Sequence, residues 1–187
     1  MTELVWPEGA VCITGPSGSG KTTLLKRLAK DLTRFTPKPT STSRDMRPGE
    51  VDGVDYIFHP EAYFHKGAHV GLCENYGNYY SLEPETLRIP QQSYRIPVFT
   101  GDLECADALR DYFRRENVDC RVVTIGLVVS RTDCMWRLQQ RSGREGLKRM
   151  LDYDDRIHEA MSCMVTIGAK HVVTLEHAFL SVAEGLL

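Results

Sequence analysis

The chain has 187 residues, of which 42% are hydrophobic and 26% charged, and its formal net charge is −2. This composition is ordinary for a globular protein, predicts one domain over residues 1–187, and excludes a strongly basic chain that binds a nucleic acid polymer. No apolar run approaches the ~20 residues of a membrane-spanning helix, so we expect no membrane partner. The N-terminus lacks a secretory pattern and the six cysteines form no CxxC pair, which predicts a cytoplasmic protein with reduced thiols.

The first motif in chain order is the glycine-rich stretch 15–23, which fits G-x-x-x-x-G-K-[ST] at every fixed position. The apolar run 10–14 before it predicts a buried parallel strand, and leucines at helical spacing predict a helix after it. In such a unit the loop N–H groups and the helix N-terminus bind polyphosphate, and Lys21 reaches the terminal phosphates. The Thr22 hydroxyl is placed to ligate Mg²⁺. We therefore predict an ATP and Mg²⁺ site formed by Gly15, Ser17, Gly18, Ser19, Gly20, Lys21, Thr22 and Thr23.

A polar segment follows, over residues 40–58, after the prolines of 36–39 block continuation of the helix. Arg44 and Arg47 stand three residues apart within it. Guanidinium groups match phosphate oxygens bidentately, so the two arginines can converge on one oxyanion. The alternative is a solvated loop with incidental charge.

Two stretches resemble the nucleotide-binding signature of guanylate kinases. The first is Ser43-Arg44 with Arg47-Pro48-Gly49-Glu50, continued through Gly53, Asp55-Tyr56 and Phe58, and the second is Gly77-Asn78-Tyr79-Tyr80. In that family the arginines and both tyrosines grip the phosphate of the acceptor nucleotide, and the glutamate supports the site. The resemblance implies that these roles fall here to Arg44, Arg47, Glu50, Tyr56 and Tyr80.

The positions that would contact the acceptor base depart from the family pattern. A glutamate that accepts hydrogen bonds from guanine corresponds here to Gly71, and a base-contacting hydroxyl corresponds to Leu82. A family serine corresponds to Thr40, which keeps a hydroxyl. We expect Glu74 to compensate for the missing carboxylate through a shift of the loop.

The run 96–100 predicts a core strand, and Asp102 follows its carboxyl end, where open parallel sheets bind ligands. The family carries Asp-x-Asp-x-Gln-Gly here, with Thr100 in place of the first aspartate and Cys105 in place of the glycine. The resemblance implies that Asp102 contacts the acceptor base or supports Mg²⁺ indirectly. The alternative is a carboxylate at a helix N-terminus.

Further elements are expected in the C-terminal half. Patterning predicts a helix at 104–116, a central strand at 120–129, a helix capped by Thr132, a last strand at 171–175 and a final helix at 176–187.

The basic stretch after Thr132 resembles the lid of nucleotide kinases, whose arginines close on the donor phosphates. Its candidates are Arg137, Arg141 and Arg156, with Arg144 as a substitute for Arg141; a solvated helix face is the alternative.

Strands alternating with helices predict an α/β fold of the P-loop NTPase class, with a mostly parallel sheet and helices on both faces. We expect a single guanylate-kinase-like domain with its core at 1–36 and 96–187. An acceptor-binding insertion is expected at 37–95, and a lid at about 137–156.

The predicted reaction is ATP-dependent phosphoryl transfer to a nucleoside monophosphate, GMP becoming GDP. Its predicted catalytic residues are Lys21, Arg44, Arg137, Arg141 and Arg156. One alternative is a ribose 1,5-bisphosphate phosphokinase that makes 5-phosphoribosyl diphosphate; others are a different nucleotide acceptor and a non-catalytic binding module. The expected partner is a small phosphate acceptor, GMP or a sugar phosphate, and the expected state is a monomer or homodimer.

Overall fold

The structure is a computed structural model that describes residues 3–30, 34–67, 69–91, 93–168 and 177–181, and for residues 142–147 the backbone. The strands are β1 (Leu4–Val5), β2 (Gly9–Thr14), β3 (Phe35–Pro37), β4 (Ser41–Thr42), β5 (Ile57–Phe58), β6 (Val70–Asn75), β7 (Asn78–Leu82), β8 (Ile89–Pro90), β9 (Ile96–Thr100), β10 (Arg121–Val128) and β11 (Val165–Gly168). The helices are α1 (Lys21–Leu28), α2 (Glu61–Phe64), α3 (Leu103–Arg115), α4 (Arg131–Leu147) and α5 (Tyr153–Met161), with 3-10 turns at Pro84–Leu87 and Lys148–Met150.

The central sheet has five strands in the order β11-β10-β2-β9-β3, and every neighbouring pair is parallel. All six residues of β2 are buried, as expected for a strand covered on both faces. The predicted α/β fold with a mostly parallel sheet is therefore confirmed. No helix in the described ranges combines the length and the apolar character needed to cross a bilayer.

Side chains alternate along β2 and supply two separate cores. Val11 and Ile13 share one buried cluster with Leu24 of α1, whereas Cys12 shares another with Leu109 of α3. This alternation follows from the period of two along a strand. It fixes α1 and α3 on opposite faces of the sheet, with the loops after β2 and β9 at a common edge.

A second sheet, of order β5-β4-β7-β6, carries the segment that resembles the acceptor signature. Its β4–β5 pair is parallel, and its β4–β7 and β6–β7 pairs are antiparallel. A third sheet consists of the antiparallel pair β1–β8.

Several predicted elements differ in detail. The prolines after α1 do block a helix, but residues 35–37 form the edge strand β3, where Pro37 is tolerated because one side of an edge strand is unpaired. Ser130, not Thr132, caps α4: its Oγ accepts the Asp133 N–H at 3.1 Å. The predicted strand 171–175 lies outside the described residues, and the strand β11 was not predicted.

Helix α5 approaches β10 unusually closely. A Cβ built on Gly126 would lie 1.8 Å from the carbonyl oxygen of Ala160. Because this glycine has no side chain, α5 rests directly on the strand, and Glu159 reaches the edge of the sheet. There its Oε1 accepts the Thr14 hydroxyl at 3.2 Å and the Leu103 N–H at 2.6 Å.

Candidate active site

A cavity of about 390 Å³ opens at the carboxyl ends of β2 and β9, between the central sheet and the second sheet. Of the residues predicted for the donor site, those that line it are Gly15, Ser17, Gly18, Gly20, Lys21, Thr22 and Thr23. Of the residues predicted for the acceptor site, those that line it are Thr40, Arg44, Arg47, Glu50, Tyr56, Tyr80 and Asp102. The basic residues Arg137, Arg141 and Arg156 also line it. The fold thus brings nearly all predicted site residues to one cavity.

The glycine-rich loop adopts the conformation that a phosphate cradle needs. Gly18 has φ +83°, and a Cβ there would lie 2.8 Å from the carbonyl oxygen of Cys134, so no side chain fits between the loop and α4. Ser19 differs from its prediction, because its side chain does not line the cavity: it is buried, and its Oγ has no hydrogen-bond partner in the described part of the chain. The Ser19 N–H donates to the carbonyl oxygen of Pro16 at 3.1 Å, so in this conformation it closes the turn of the loop.

Lys21 begins α1 and folds back over the loop. Its Nζ donates to the carbonyl oxygens of Gly15 at 2.5 Å and Pro16 at 3.0 Å. Burial, followed by the nearby charge of Arg156, lowers the pKa of Lys21 to about 8. Burial disfavours the charge on this ammonium group and a bound anion would favour it, so the group is well suited to bind phosphate.

The donor set fits a magnesium–polyphosphate complex. Mg²⁺ usually takes only one or two protein ligands and completes its octahedron with phosphate oxygens and water. The Thr22 hydroxyl lines the cavity next to Lys21 and supplies such an oxygen ligand. The described residues contain no group of three or more His, Cys, Asp or Glu side chains that could hold a metal without phosphate.

A buried ion pair organises the acceptor half of the cavity. Arg44, only 7% exposed, donates to both carboxylate oxygens of Glu50, at 2.7 and 2.8 Å, and its guanidinium lies 4.7 Å from the Tyr56 ring centroid. Glu50 also accepts the Arg47 N–H at 2.9 Å. Burial opposes the charge on Glu50, but the hydrogen bonds from Arg44 and Arg47 outweigh it and hold the pKa of that carboxyl below its usual value.

Positive charge is concentrated beside this pair. Burial, together with the guanidinium groups of Arg149, Arg44 and Arg141, lowers the pKa of Arg47 to about 10. Like charges gathered in one cavity repel one another, and an anion placed among them relieves that repulsion. The electrostatics therefore favour binding of a phosphate at Arg47.

We expect Glu50→Gln to lower the free energy of unfolding by about 2–4 kcal/mol at pH 7, because Arg44 would keep a buried charge without its counter-ion. The pKa of Glu50 is depressed, so its stabilising effect is complete above pH 4.5 and is lost as the pH falls through the folded-state pKa. Urea unfolding at pH 7 and in acid should show the difference between wild type and variant shrinking below pH 4.5. Glu61→Gln, which breaks an exposed pair with His65, is the matched control, expected within about 0.5 kcal/mol of wild type.

The three lid candidates occupy different environments. Arg137 donates to the carbonyl oxygens of Gly18 at 3.0 Å and Ser19 at 3.4 Å, whereas Arg141 is exposed. Arg156 is held by Glu159 at 2.9 Å and by the Asn75 side-chain oxygen at 2.7 Å. The side chain of Arg144 lies outside the described residues. Contact of these arginines with donor phosphates stays a prediction.

The predicted role of Glu74, to replace the carboxylate missing at position 71, does not agree with its position in the structure. Gly71, Cys73 and Asn75 line the cavity, whereas Leu72 and Glu74 between them are exposed. Alternation along β6 places Glu74 on the face away from the cavity. It therefore cannot replace the carboxylate that position 71 lacks.

Position 71 is closed to any side chain. Gly71 has φ +61°, and a Cβ there would lie 2.7 Å from both the Cα and the Sγ of Cys105. The first turn of α3 thus occupies the space that the Cβ of any other residue at position 71 would need. Gly71 and Cys105 therefore pack directly against each other in the cavity wall, and we call this pair the Gly71–Cys105 packing unit.

We expect Gly71→Ala to destabilise the protein by about 2–4 kcal/mol, because it combines a left-handed backbone with a clash against the backbone of Cys105. Gly53→Ala is the matched control, since Gly53 has φ +74° but nothing within 4 Å of an added Cβ. It should cost about 1 kcal/mol, the strain of the backbone alone. Equal losses for the two variants in urea unfolding would contradict the proposed packing unit.

Asp102 caps a helix and also faces the cavity. Its Oδ1 accepts the Cys105 N–H at 2.8 Å and caps α3, while its Oδ2 lies 3.6 Å from the Arg156 guanidinium. The side chain is 14% exposed and lines the cavity. Capping fixes the carboxylate in place, and its second oxygen remains directed toward the site.

Sequence reasoning missed several residues of the cavity wall, among them Asn75, Tyr76, Arg149 and Asp152. The first two belong to the hairpin of the second sheet, and the other two to the turn between α4 and α5. No motif marks them. The one available signal was the position of Asn75 and Tyr76 directly before the Gly77-Asn78-Tyr79-Tyr80 stretch.

Comparison with known proteins agrees with this geometry. A family model described as Guanylate kinase matches residues 8–164. Among curated relatives, the guanylate kinase of Helicobacter hepaticus is 32% identical over 111 residues, 57% of this chain and 56% of that protein. The guanylate kinase of Sus scrofa is 36% identical over 99 residues, 50% of each chain. The chain thus spans about half the length of the curated relatives it matches.

A solved structure extends the likeness in fold. The crystal structure of guanylate kinase from Anaplasma phagocytophilum superposes with a TM-score of 0.63 at 16% sequence identity, covering 98% of this chain and 87% of that one. At this identity the likeness shows a shared fold. It covers the central sheet and the second sheet together.

Proposed function

Because the chain belongs to the guanylate kinase family, we propose that it transfers the terminal phosphoryl group of ATP to GMP and forms GDP. One observation carries the proposal. The glycine-rich loop with Lys21 and the Arg44–Arg47 group, two anion sites from distant parts of the chain, line the same cavity. Phosphoryl transfer needs two phosphates held close together with their charge neutralised, and such a cavity meets that need.

Each group has a distinct part in the proposed reaction. The loop N–H groups and Lys21 hold the donor phosphates, and Mg²⁺, bound by Thr22 and phosphate oxygens, would supply further neutralisation of charge. Arg44, oriented by Glu50, and Arg47 hold the acceptor phosphate together with Tyr56 and Tyr80. A phosphate oxygen is already an anionic nucleophile, so the reaction needs no strong general base.

GMP is favoured over the other acceptors by the intact acceptor-phosphate group and by Asp102. With position 71 closed and Glu74 directed away, we propose Asp102 as the carboxylate that receives the N–H groups of the base. A ribose 1,5-bisphosphate acceptor is less favoured, because Arg47 and Glu50, which are joined by a backbone hydrogen bond, both match the acceptor signature of the guanylate kinase family. A non-catalytic module is less favoured, because the phosphate loop is complete.

The proposal is tested by steady-state assays with ATP and Mg²⁺ and a panel of acceptors: GMP, dGMP, AMP, UMP and ribose 1,5-bisphosphate. We expect turnover with GMP to exceed turnover with the others. Turnover with the sugar bisphosphate alone would overturn the proposal. Calorimetry with ATP tests the alternative of a non-catalytic binding module, because absence of ATP binding would favour that alternative.

The remaining features are proposals of the same kind. All six cysteines, each within the described residues, are unpaired, which supports a reducing compartment such as the cytoplasm. The net charge of −2 supports a small-molecule acceptor in place of a nucleic acid polymer. We propose a monomer or homodimer.

A further inference from the structure

Tyr76 occupies an unusual backbone position at the tip of the β6–β7 hairpin. Its φ of +56° lies in the left-handed region, which among the described residues other than glycine only Tyr76 and Asn117 adopt. Tyr76 and Gly77 are the two residues between β6 and β7, and both have positive φ, as a two-residue hairpin loop of type I′ requires. The turn therefore explains the backbone of Tyr76, and the contacts of its side chain show which part of the molecule the hairpin tip packs against.

Those contacts lie in the turn between α4 and α5. The Tyr76 hydroxyl donates to the carbonyl oxygen of Arg149 at 3.3 Å, and the Arg149 guanidinium lies 5.8 Å from the Tyr76 ring centroid. The neighbouring Asn75 accepts a hydrogen bond from Arg156 of α5 at 2.7 Å. The hairpin of the second sheet is thus fastened to both sides of the turn.

The same tyrosine also adjoins the donor site. Tyr76 lines the same cavity as Asp152 and as Ser17 of the phosphate loop. Burial, followed by the nearby Asp152 carboxylate, raises the pKa of Tyr76 well above its usual value. The Arg149 guanidinium lies over the Tyr76 ring, and its charge is one of those that lower the pKa of Arg47. Tyr76 therefore stands where the hairpin, the α4–α5 turn and the phosphate loop meet.

We propose that Tyr76 is a positioning residue that fastens the acceptor-side hairpin to the 148–152 turn and thereby keeps the cavity closed around the phosphates. The ring holds the Arg149 guanidinium near the acceptor phosphate site, and the hydroxyl fixes the turn backbone. A closed cavity excludes water, so the fastening favours transfer to the acceptor over hydrolysis of ATP. The effect on transfer rests on the proposed function, whereas the fastening itself does not.

The experiment compares Tyr76→Phe, which removes the hydroxyl alone, with Tyr76→Ala, which also removes the ring. Tyr94→Ala is the matched control, because Tyr94 is 89% exposed and does not line the cavity. In hydrogen–deuterium exchange of the ligand-free protein, we expect amides of residues 148–152 to exchange about tenfold faster in Tyr76→Ala than in Tyr94→Ala. Tyr76→Phe should lie between them.

The second readout is the ratio of ATP hydrolysis to phosphoryl transfer. We expect this ratio and the KM for GMP each to rise about tenfold in Tyr76→Ala, with partial rescue in Tyr76→Phe. A purely structural role would lower the amount of active enzyme and leave the ratio unchanged. Unchanged exchange at 148–152 would overturn the fastening, whereas absence of GMP turnover in the wild type would overturn the proposed function and leave the exchange result standing.

Discussion

Lys21→Met is expected to lower kcat by about 10³-fold, because it removes the mobile positive charge nearest to the donor phosphates. The same substitution should raise the free energy of unfolding measured without added nucleotide. The pKa of Lys21 is lowered to about 8 because its ammonium group is buried, and a methionine of similar shape avoids that cost. Activity and stability would therefore change in opposite directions at one position.

The pH dependence of the unfolding free energy tests separately whether the buried charge of Lys21 destabilises the protein. With a folded-state pKa of about 8 and an ordinary value of 10.5, the unfolded chain binds more protons between these limits, so wild-type stability rises with pH there. The stability advantage of Lys21→Met should be full below pH 8 and should shrink toward pH 10.5. Thermal unfolding of both proteins from pH 7 to 10 measures it.

Lys30→Met, at an exposed position just beyond α1, is the matched control and should alter neither kcat nor stability appreciably. ATP binding supplies a further check, because an anion restores the charge on Lys21. Calorimetry at pH 8–9 in two buffers of different ionisation enthalpy should therefore detect proton uptake in the wild type and not in Lys21→Met. A variant that keeps kcat within tenfold of wild type would contradict the assigned position of the donor phosphates.

Gly126→Ala is expected to cost about 3 kcal/mol or more of unfolding free energy, among the largest effects of any single methyl group in this protein. The added Cβ would lie 1.8 Å from the backbone oxygen of Ala160, and a backbone atom cannot rotate away as a side chain can. Relief requires a shift of α5 away from β10. That shift would carry Arg156 and Glu159 away from the cavity, so kcat/KM should fall as well.

Gly168→Ala is the matched control in the same sheet. A Cβ there would have one neighbour, the Val128 carbonyl oxygen at 3.8 Å, which is an ordinary contact. We expect a change of less than about 0.5 kcal/mol. Denaturant unfolding of the two variants measures this difference in stability. Similar midpoints for Gly126→Ala and Gly168→Ala would show that α5 does not rest on Gly126 as described.

The donor half of the cavity was predictable because its geometry is local. Nine consecutive residues dictate the phosphate loop, and the apolar run before them and the leucines after them specify the strand and the helix. The Arg44–Glu50 pair is local in the same sense, since the two residues are six positions apart in the chain. For such units, sequence order is nearly equivalent to spatial proximity.

The wall of the acceptor site was less predictable, because it depends on strand register. A shift of one residue along β6 would exchange Glu74 for its neighbours at the cavity, and the register of β6 on β7 changes between Val70 and Cys73. From Gly71 to Asn75, however, the alternation is regular and leaves Glu74 on the outer face. The loop shift expected for Glu74 is not observed.

The sequence by itself determined the α/β fold, the phosphate loop and the arginines of the acceptor signature, since each follows from short-range pattern and backbone preference. Only the tertiary structure decided that Gly71 abuts Cys105, that Arg156 bonds Asn75 and that Tyr76 meets the α4–α5 turn. These contacts join residues 34, 81 and 73 positions apart in the chain. They exist because α3 and α5 pack on the sheet at particular depths, and that depth is set by the side chains of the whole core at once.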